Sequence, residues 1–504
     1  MFLSQIRPLF DRLRNRDDAI ALINQQGTYS FAELGARTAA IAHFLNPLAG
    51  RNVLIYGHKQ LDAVAAILAC ISKGCCFTFV DQANPPSRIE KIARMTRTEV
   101  IITTLPHPLA GLEQWPQCVS ASLADISPAT LPAEPSLTQS LFYILSTSGS
   151  TGEPKGVMVS YDNFAAFSAW FAPQVTGGTD KGCHINHACF SFDMAILDLI
   201  PVLSRGQTVL MLDHCNNVLP RQNIRLMTRE PDVAVTSWFS TPSFAELMLK
   251  DALFSHVKFP ALKRFYIGGE RVAPGLITQL QTRFPSLEVM HAYGPTETTC
   301  VTHTHLLSQP LHHQAGLLPL GKPQGLNRIR IVDAAGHPVS ATTVGEVRLY
   351  GPQVSQGYLP EDHPRNQAFA EDEWGRYYAT GDRGFVDENQ SLFICGRDDG
   401  QFKLHGNRIE LAEVESAVCR NANVIQCCLV PLEEQGKVTD LQLFVQLHDD
   451  NALQRQALRH FLSGQLPGYM IPKQLVFCQH FPLTLHGKID RQELVRQYAV
   501  SDSF

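Results

Sequence analysis

Between residues 53 and 102, short strand-like apolar runs alternate with longer helix-like runs, which leaves few folds open to the chain. Val53-Leu54-Ile55-Tyr56, the run from Cys75 to Val80, and Val100-Ile101-Ile102 read as buried strands. Leu61 to Lys73 reads as an apolar helix closed by Gly74, and Pro85-Pro86-Ser87 opens a helix carrying Ile89, Ile92 and Met95. Upstream, Ser30-Phe31-Ala32-Glu33 is a capping box, followed by Leu34, Ile41 and Leu45 at helical spacing. Strands separated by helices cannot pair as hairpins. They form a parallel sheet covered by helices.

After a proline-richer connector at 105–136, the alternation resumes from 137 to about 310. Around 322–362 the pattern shifts to short strands with glycine turns: Arg328 to Val332, Gly345 to Leu349, and Gly357-Tyr358. A further break falls at Gly396-Arg397-Asp398-Asp399-Gly400, with enough chain beyond it for a small separate domain. The fold class is therefore α/β. A large N-terminal domain, 1–398, holds parallel-type sheets with covering helices plus a β-rich subdomain, and a small α+β C-terminal domain spans 399–504. At 504 residues more than one core is required. A net charge of −5 argues against a general nucleic-acid binder. No apolar stretch approaches the ~20 residues that span a bilayer, and the first residues do not read as a secretory signal. Thirteen scattered cysteines without a Cys-x-x-Cys pair read as reduced thiols of a cytoplasmic protein. Cys75-Cys76 and Cys427-Cys428 lie in strand-like runs, so the members of each pair point to opposite faces.

The chemistry begins at Ser146-Thr147-Ser148-Gly149-Ser150-Thr151-Gly152-Glu153-Pro154-Lys155-Gly156, directly after the strand-like Leu141 to Leu145. Glycines let backbone N–H groups turn toward an anion, hydroxyls add donors, and Lys155 adds positive charge. This is the layout of a phosphate cradle. It is not a Walker A loop, because the Gly-Lys-Ser/Thr ending is missing. In Tyr293-Gly294-Pro295-Thr296-Glu297 an aromatic ring, a tight turn, a hydroxyl and a carboxylate fall together. Such a turn can stack on a base, donate to phosphate and hold Mg2+. In Thr380-Gly381-Asp382 a carboxylate beyond a glycine turn can accept both hydroxyls of a ribose. Two further runs complete the set: Gly396-Arg397 through Asp399, Gln401, Lys403, Gly406 and Arg408 to Glu410, and Leu485-His486-Gly487-Lys488-Ile489-Asp490-Arg491.

These five runs, in this order, resemble the adenylate-forming enzymes: acyl- and aryl-CoA ligases, luciferases and the adenylation domains of nonribosomal peptide synthesis. The resemblance covers nearly the whole chain. Within the group, Leu54-Ile55-Tyr56-Gly57-His58, Phe190-Ser191-Phe192-Asp193, Ser240-Thr241-Pro242-Ser243-Phe244 and Leu404-His405-Gly406 are similar to stand-alone D-alanine–D-alanyl carrier protein ligases. The resemblance implies ATP and Mg2+ as cofactors and two half-reactions. A carboxylate attacks the α-phosphate of ATP, releasing pyrophosphate, and a phosphopantetheine thiol then takes the acyl group and releases AMP. It implies that Ser146, Thr147, Ser148, Gly149, Ser150, Thr151, Gly152 and Lys155 cradle the β- and γ-phosphates. His291, Ala292, Tyr293 and Gly294 flank the adenine, with Tyr293 stacked on it. Thr296 touches the α-phosphate, Glu297 holds Mg2+, Asp382 grips the ribose with help from Arg397, and Lys488 bridges the substrate carboxylate and α-phosphate. Asp399 becomes a hinge about which a mobile small domain rotates, removing Lys488 and bringing the Gly406 loop to a pantetheine tunnel.

The resemblance places Asp193 where amino-acid-activating members pair the substrate ammonium. Read from the sequence alone, it can equally cap the helix running through Met194 to Leu199. The side-chain pocket implied is Met194, Leu197, Trp238, Gly268, Ala292, Pro295, Cys300 and Val301. Gly268 stands where the D-alanine ligases have Cys, which enlarges or reshapes the pocket and leaves the amino acid and its stereochemistry open. His291 stands where an Asn often meets the adenine amine, and Ala379 where a basic residue is common. His184/His187 and His303/His305 lack further ligands at zinc-like spacing and read as buried or surface histidines. The implied partners are an amino acid and a separate phosphopantetheinylated carrier protein, with neither nucleic acid nor membrane insertion. The alternatives are an adenylation enzyme for another amino acid of a peptide natural product, or a coenzyme A ligase for a small acid. Retention of Lys155, Glu297 and Lys488 counts against a regulator without catalysis.

Overall fold

The computed structural model describes residues 1–123, 131, 135, 137, 140–147, 153–177, 181–213, 218–314, 316–397, 401–434, 437–482, 489 and 491–498. The chain divides into two compact units. One comprises 1–82, 93–146 and 156–399; the other comprises 83–92, 147–155 and 400–504. This division adds two N-terminal excursions to the second unit that a single cut at 398/399 does not contain.

The first unit carries two largely parallel sheets, as the strand–helix alternation requires. One has seven strands in the order Tyr358–Leu359, Lys155–Ser160, Leu141–Thr147, Cys76–Asp81, Asn52–Gly57, Val100–Thr103, Gln117–Val119. The other has eight: His303–Leu307, Glu288–Tyr293, Arg264–Gly268, Val235–Ser240, Cys183–Asn186, Thr208–Met211, Ile20–Ile23, Thr28–Ser30. Its two end pairs are antiparallel. The helix Leu61–Ser72 buries every residue from Ala63 to Ser72, because it is apolar all round. It shares one core with Asp193–Ser204 and with strands of both sheets, through Ile55, Phe77, Phe142, Val209, Phe239 and Tyr266. The capping box at Ser30 forms as the sequence predicts and starts the helix Phe31–Phe44. The connector at 105–136 carries one strand that the sequence does not reveal, Gln117–Val119, too short to show a period. The β-rich subdomain is an antiparallel sheet of Arg328–Val332, Gly345–Tyr350, Gly375–Val386 and Phe369–Asp372, with Leu392–Arg397 also paired to Gly375–Val386.

Polar groups meet where the C-terminal ends of parallel strands from the two sheets converge. His58 follows Asn52–Gly57 and lies between two carboxylates: Nε2 is 2.8 Å from Asp213 and Nδ1 is 3.4 Å from Asp81. Burial alone would lower its pKa, yet the two carboxylates together raise it above 6.5. Lys59 beside it is buried, and its ammonium donates to the Asn186 carbonyl at 2.6 Å. Asp198, inside the helix Asp193–Ser204, takes hydrogen bonds from Asn186 and lies 3.2 Å from His184. Crevices at the carboxyl ends of such strands are where α/β folds bind ligands.

The second unit contains the hairpin Gln401–Leu404/Asn407–Glu410, the helix Leu411–Cys419 and a three-stranded sheet of Val424–Glu434, Lys437–Leu447 and Gln474–Phe477. Cys427 and Cys428 fall in different core clusters, on opposite faces of their strand.

Burial lowers the pKa of Lys59 from 10.5 to about 7, against the pull of Asp198, Asp213 and Asp81. Between those two values the unfolded chain holds a proton that the folded chain has released, so this residue makes stability rise with pH. The Tm of the wild type minus that of Lys59→Met is expected to increase from pH 7 to pH 9 in matched calorimetric scans. A flat or falling difference contradicts the buried, deprotonating lysine.

Candidate active site

Tyr293 ends the last parallel strand of the eight-stranded sheet, and its hydroxyl donates to Asp382 Oδ2 at 2.5 Å. Arg397 approaches the same carboxylate from the paired strand, donating to Oδ1 at 2.5 Å and to the Thr380 carbonyl at 2.9 Å. The Asp382–Arg397 register of the antiparallel sheet places them opposite one another. Burial first, and the neighbouring Asp382 second, hold the Tyr293 hydroxyl well above its ordinary pKa, so it stays protonated as a donor. Two of the residues that the sequence assigns to the nucleotide, Tyr293 and Arg397, thus converge on a third, the buried carboxylate of Asp382. His291 lies on the same face of the strand as Tyr293. Burial lowers its pKa to about 4, and its Nδ1 is 2.9 Å from the Pro319 carbonyl. Neutral imidazole donating from Nδ1 keeps a lone pair on Nε2.

Downstream, Thr296–Thr298 form one 3-10 turn, with Glu297 fully buried. Tyr358 donates to Glu297 Oε1 at 2.5 Å, and the Tyr378 hydroxyl lies 3.0 Å from that of Tyr358. Since Tyr358 gives its proton to Glu297, Tyr378 donates to Tyr358. Thr299 and Cys300 then both adopt left-handed backbone, at φ 54 and 71. Two consecutive non-glycine residues in that region are costly and persist only where the surroundings enforce them. Here Gln353 does so. Its Nε2 lies 3.1 Å from the Thr298 carbonyl and 2.8 Å from that of Val301, and its own carbonyl accepts from Thr299 at 2.8 Å. Trp170 and Asn327 in turn donate to Gln353 Oε1 at 2.7 and 2.6 Å. Gly294 is needed because a Cβ there would stand 2.3 Å from the Cys300 carbonyl. Sequence reasoning missed Gln353; no motif surrounds it, and its contacts lie some fifty residues away in the chain.

Asp193 opens the helix Asp193–Ser204, and its Oδ1 accepts from the Met194 N–H at 2.8 Å. Burial first, and the nearby Asp193 second, hold the hydroxyl of the fully buried Tyr143 well above its ordinary pKa. The Phe190–Asp193 segment is held from the neighbouring sheet: the Asp81 N–H donates to Ser191 Oγ at 3.1 Å, and the Lys59 ammonium sits 5.5 Å over the Phe190 ring. Leu197, Ala292, Cys300 and Val301 are buried in one core cluster, with Met194 packed against it. Trp238 departs from the pocket the sequence implied. It packs in the other core with Phe244, Phe254 and Phe265, on the opposite face of its strand, while Phe239 faces the cluster of Leu197 and Ala292. The run Val235–Ser240 is buried on both faces, so its sequence carries no alternation that would have told the two aromatics apart. Gly268 leaves no void, because a Cβ there would lie 2.3 Å from the Ala292 carbonyl of the paired strand. The site is reshaped by strand approach.

Of the phosphate loop, Ser146, Thr147 and Lys155 are described; Ser148, Gly149, Ser150, Thr151 and Gly152 lie outside the described residues, as do Asp399 and Lys488. Within the second unit, Lys155 is fully buried and donates to Glu410 Oε1 at 2.7 Å, with Gln401 donating to the same oxygen at 2.8 Å. Pro295 and Thr296 are half-buried beside Tyr293. His184 is bonded to Ser237 and Asp198, His187 stacks on Phe244, and His303 is buried next to Thr302.

The family model for AMP-binding enzymes matches residues 9–359, and that for their C-terminal domain matches 413–488. The chain belongs to the AMP-binding enzyme family. It is 31% identical over 496 residues to the D-alanine–D-alanyl carrier protein ligase of Bacillus licheniformis, covering 97% of this chain and 98% of that one. Among solved structures it resembles the Vibrio cholerae adenylation domain AlmE in complex with glycyl-adenosine-5'-phosphate. The TM-score is 0.80 at 22% identity, over 98% of this chain and 97% of that one. An artificially fused adenylation–PCP di-domain from Klebsiella oxytoca matches with a TM-score of 0.80 at 21% identity, over 93% of each chain. In this AMP-binding enzyme Asp382 is held by Tyr293 and Arg397, and Glu297 by Tyr358, all within the first unit. The chain is an AMP-forming ligase.

Gln353→Leu leaves the carbonyls of Thr298 and Val301 and the donors of Trp170 and Asn327 unsatisfied. A stability loss of about 4 kcal/mol or more is expected from denaturant unfolding, at ~1–3 kcal/mol for each of the four stranded groups. A loss below about 0.5 kcal/mol contradicts the bracing role.

Proposed function

We propose that this chain activates an amino acid, D-alanine before others, to its aminoacyl-adenylate and passes the acyl group to the phosphopantetheine thiol of a separate carrier protein. The full-length similarity to D-alanine–D-alanyl carrier protein ligases supports the reaction class. The observation that carries the substrate class is Asp193, a carboxylate at the head of a buried helix beside the apolar cluster of Leu197, Ala292, Cys300 and Val301. A fatty or aromatic acid gains nothing from that charge, whereas an α-ammonium pairs with it. The pocket suits a small side chain, because the Ala292 carbonyl occupies the space beside Gly268 and Phe239 and Tyr266 fill the same core.

In the first half-reaction an oxygen of the substrate carboxylate attacks the α-phosphorus and pyrophosphate leaves. Asp382 accepts the ribose hydroxyls, Tyr293 lies along the adenine, and the Nε2 lone pair of His291 accepts from the adenine amine. Thr296 donates to the α-phosphate. Lys488 stands between the two anions, whose mutual repulsion at ~4 Å is roughly 4 kcal/mol at an effective dielectric of ~20. Mg2+ is held by one or two carboxylates together with substrate phosphates. The buried Glu297, its hard oxygens oriented by Tyr358, fits that donor set. Bound there, the ion neutralises phosphate charge. In the second half-reaction the carrier thiol attacks the acyl carbon and AMP leaves. It is for the first half-reaction that Lys155 exchanges Glu410 for the triphosphate. In the competing reading a small acid without an ammonium is activated and free coenzyme A is the acceptor, so that substrate recognition makes no use of Asp193.

ATP–pyrophosphate exchange across glycine and the D- and L-amino acids tests the substrate, with D-alanine expected to give the highest kcat/KM. Exchange driven only by fatty or aromatic acids defeats the proposal. Asp193→Ala is expected to lower kcat/KM for the amino acid by about 10²–10³-fold, the cost of a buried ammonium left unpaired, with KM for ATP unchanged. Lys488→Ala is expected to lower adenylation by about 10²–10³-fold while transfer from supplied aminoacyl-adenylate falls much less. Equal losses in both steps would remove Lys488 from its assigned place.

A further inference from the structure

Among the described cysteines, ten are buried and two, Cys395 and Cys419, are exposed. Cys419 ends the helix Leu411–Cys419 and Cys427 lies in the adjacent strand Val424–Glu434; their sulfurs are 3.5 Å apart. Cys427 is buried against the Glu415 carbonyl, also at 3.5 Å. One thiol therefore faces solvent with a second directly behind it, in van der Waals contact. Neither belongs to the nucleotide or amino-acid site.

We propose that Cys419 and Cys427 form a redox-active dithiol, in which Cys419 is the residue attacked by a hydroperoxide and Cys427 resolves the product as a disulfide. In the first step the Cys419 thiolate attacks one peroxide oxygen. The O–O bond breaks, hydroxide (or the alkoxide of an organic hydroperoxide) leaves, and sulfur is oxidised to the sulfenic acid. In the second step Cys427 sulfur attacks Cys419 sulfur, the S–OH bond breaks, and the Cys427 proton leaves with hydroxide as water. The hydrogen bond from Cys427 is the largest influence on the Cys419 thiol and lowers its pKa to about 7, against burial and Glu415. Thiolate is the nucleophile in such chemistry, so exposure and thiolate character fall on the same residue. Closing from contact to a bond of ~2.05 Å asks for side-chain rotation. Cys428 is an unsuitable resolver, because it points to the other face and packs with Phe444, Cys478 and Phe481.

The same helix also holds the chain beyond Lys488. Glu415 accepts from the Leu429 N–H at 2.8 Å and from Arg491 at 2.9 Å. A disulfide would fix the end of that helix to the strand two residues before Leu429.

The test uses the full-length enzyme, treated with stoichiometric hydrogen peroxide, alkylated under denaturing conditions, and mapped by peptide mass spectrometry. A dithiothreitol-reversible loss of two hydrogens is expected, located in a Cys419–Cys427 cross-linked peptide. Cys427→Ser should instead accumulate a dimedone-reactive sulfenic acid at Cys419, and Cys419→Ser should leave Cys427 reduced. Pyrophosphate exchange by both variants, unoxidised, should match wild type, which shows that they fold. Irreversible sulfinic acid at Cys419 with Cys427 free in the wild type, a Cys428–Cys478 bond in its place, or no faster modification of Cys419 than of exposed Cys395 overturns the proposal.

Discussion

The carboxylate of Asp382, held between the Tyr293 hydroxyl and the Arg397 guanidinium, is the contact on which the proposed nucleotide site depends. It joins the end of a parallel strand to an antiparallel subdomain with a different strand direction and its own small core. A buried carboxylate is tolerated only when its oxygens are satisfied, and here each oxygen has a donor. In the proposed site the ribose hydroxyls are donors of the same kind. The pair of sheets and the subdomain bring these three side chains together from positions 293, 382 and 397.

A second constraint lies a few residues on. The left-handed backbone at Thr299 and Cys300 turns the chain back so that Glu297 is buried under Tyr358 while Cys300 and Val301 join the core cluster of Leu197 and Ala292. The burial of Glu297 and the placement of Cys300 and Val301 are thus set by one strained turn, which Gln353 keeps in place. The polar junction of His58, Lys59, Asp81 and Asp198 does comparable work for Asp193, fixing the approach of the Phe190–Asp193 segment from the neighbouring sheet. Both arrangements put buried polar groups under tight geometric control, where a single unsatisfied partner is expensive.

Much of the fold was legible because its signals are local. The capping box at Ser30, the all-apolar helix after Leu61, and the glycine-punctuated runs beyond 322 each declare themselves within a dozen residues. Residues that the motifs single out, Tyr293, Asp382 and Arg397, do come together. Long-range choices were not legible. Whether Trp238 or Phe239 faces the pocket depends on which side of a doubly buried strand receives the helix carrying Asp193. Gln353 and Lys59 act through carbonyls remote in sequence, and no spacing announces a backbone partner. The short strand Gln117–Val119 exists because a sheet edge awaits it, not because three residues favour it.

The most direct measurement is calorimetric binding of AMP to wild type and to Asp382→Ala, with 2',3'-dideoxy-AMP as the comparison ligand. Wild type should bind AMP well over tenfold more tightly than the dideoxy ligand, since each lost charge-assisted hydrogen bond is worth about 1.5–3 kcal/mol, and Asp382→Ala should bind both equally weakly. An AMP affinity unchanged by Asp382→Ala would contradict the assignment of this carboxylate to the ribose.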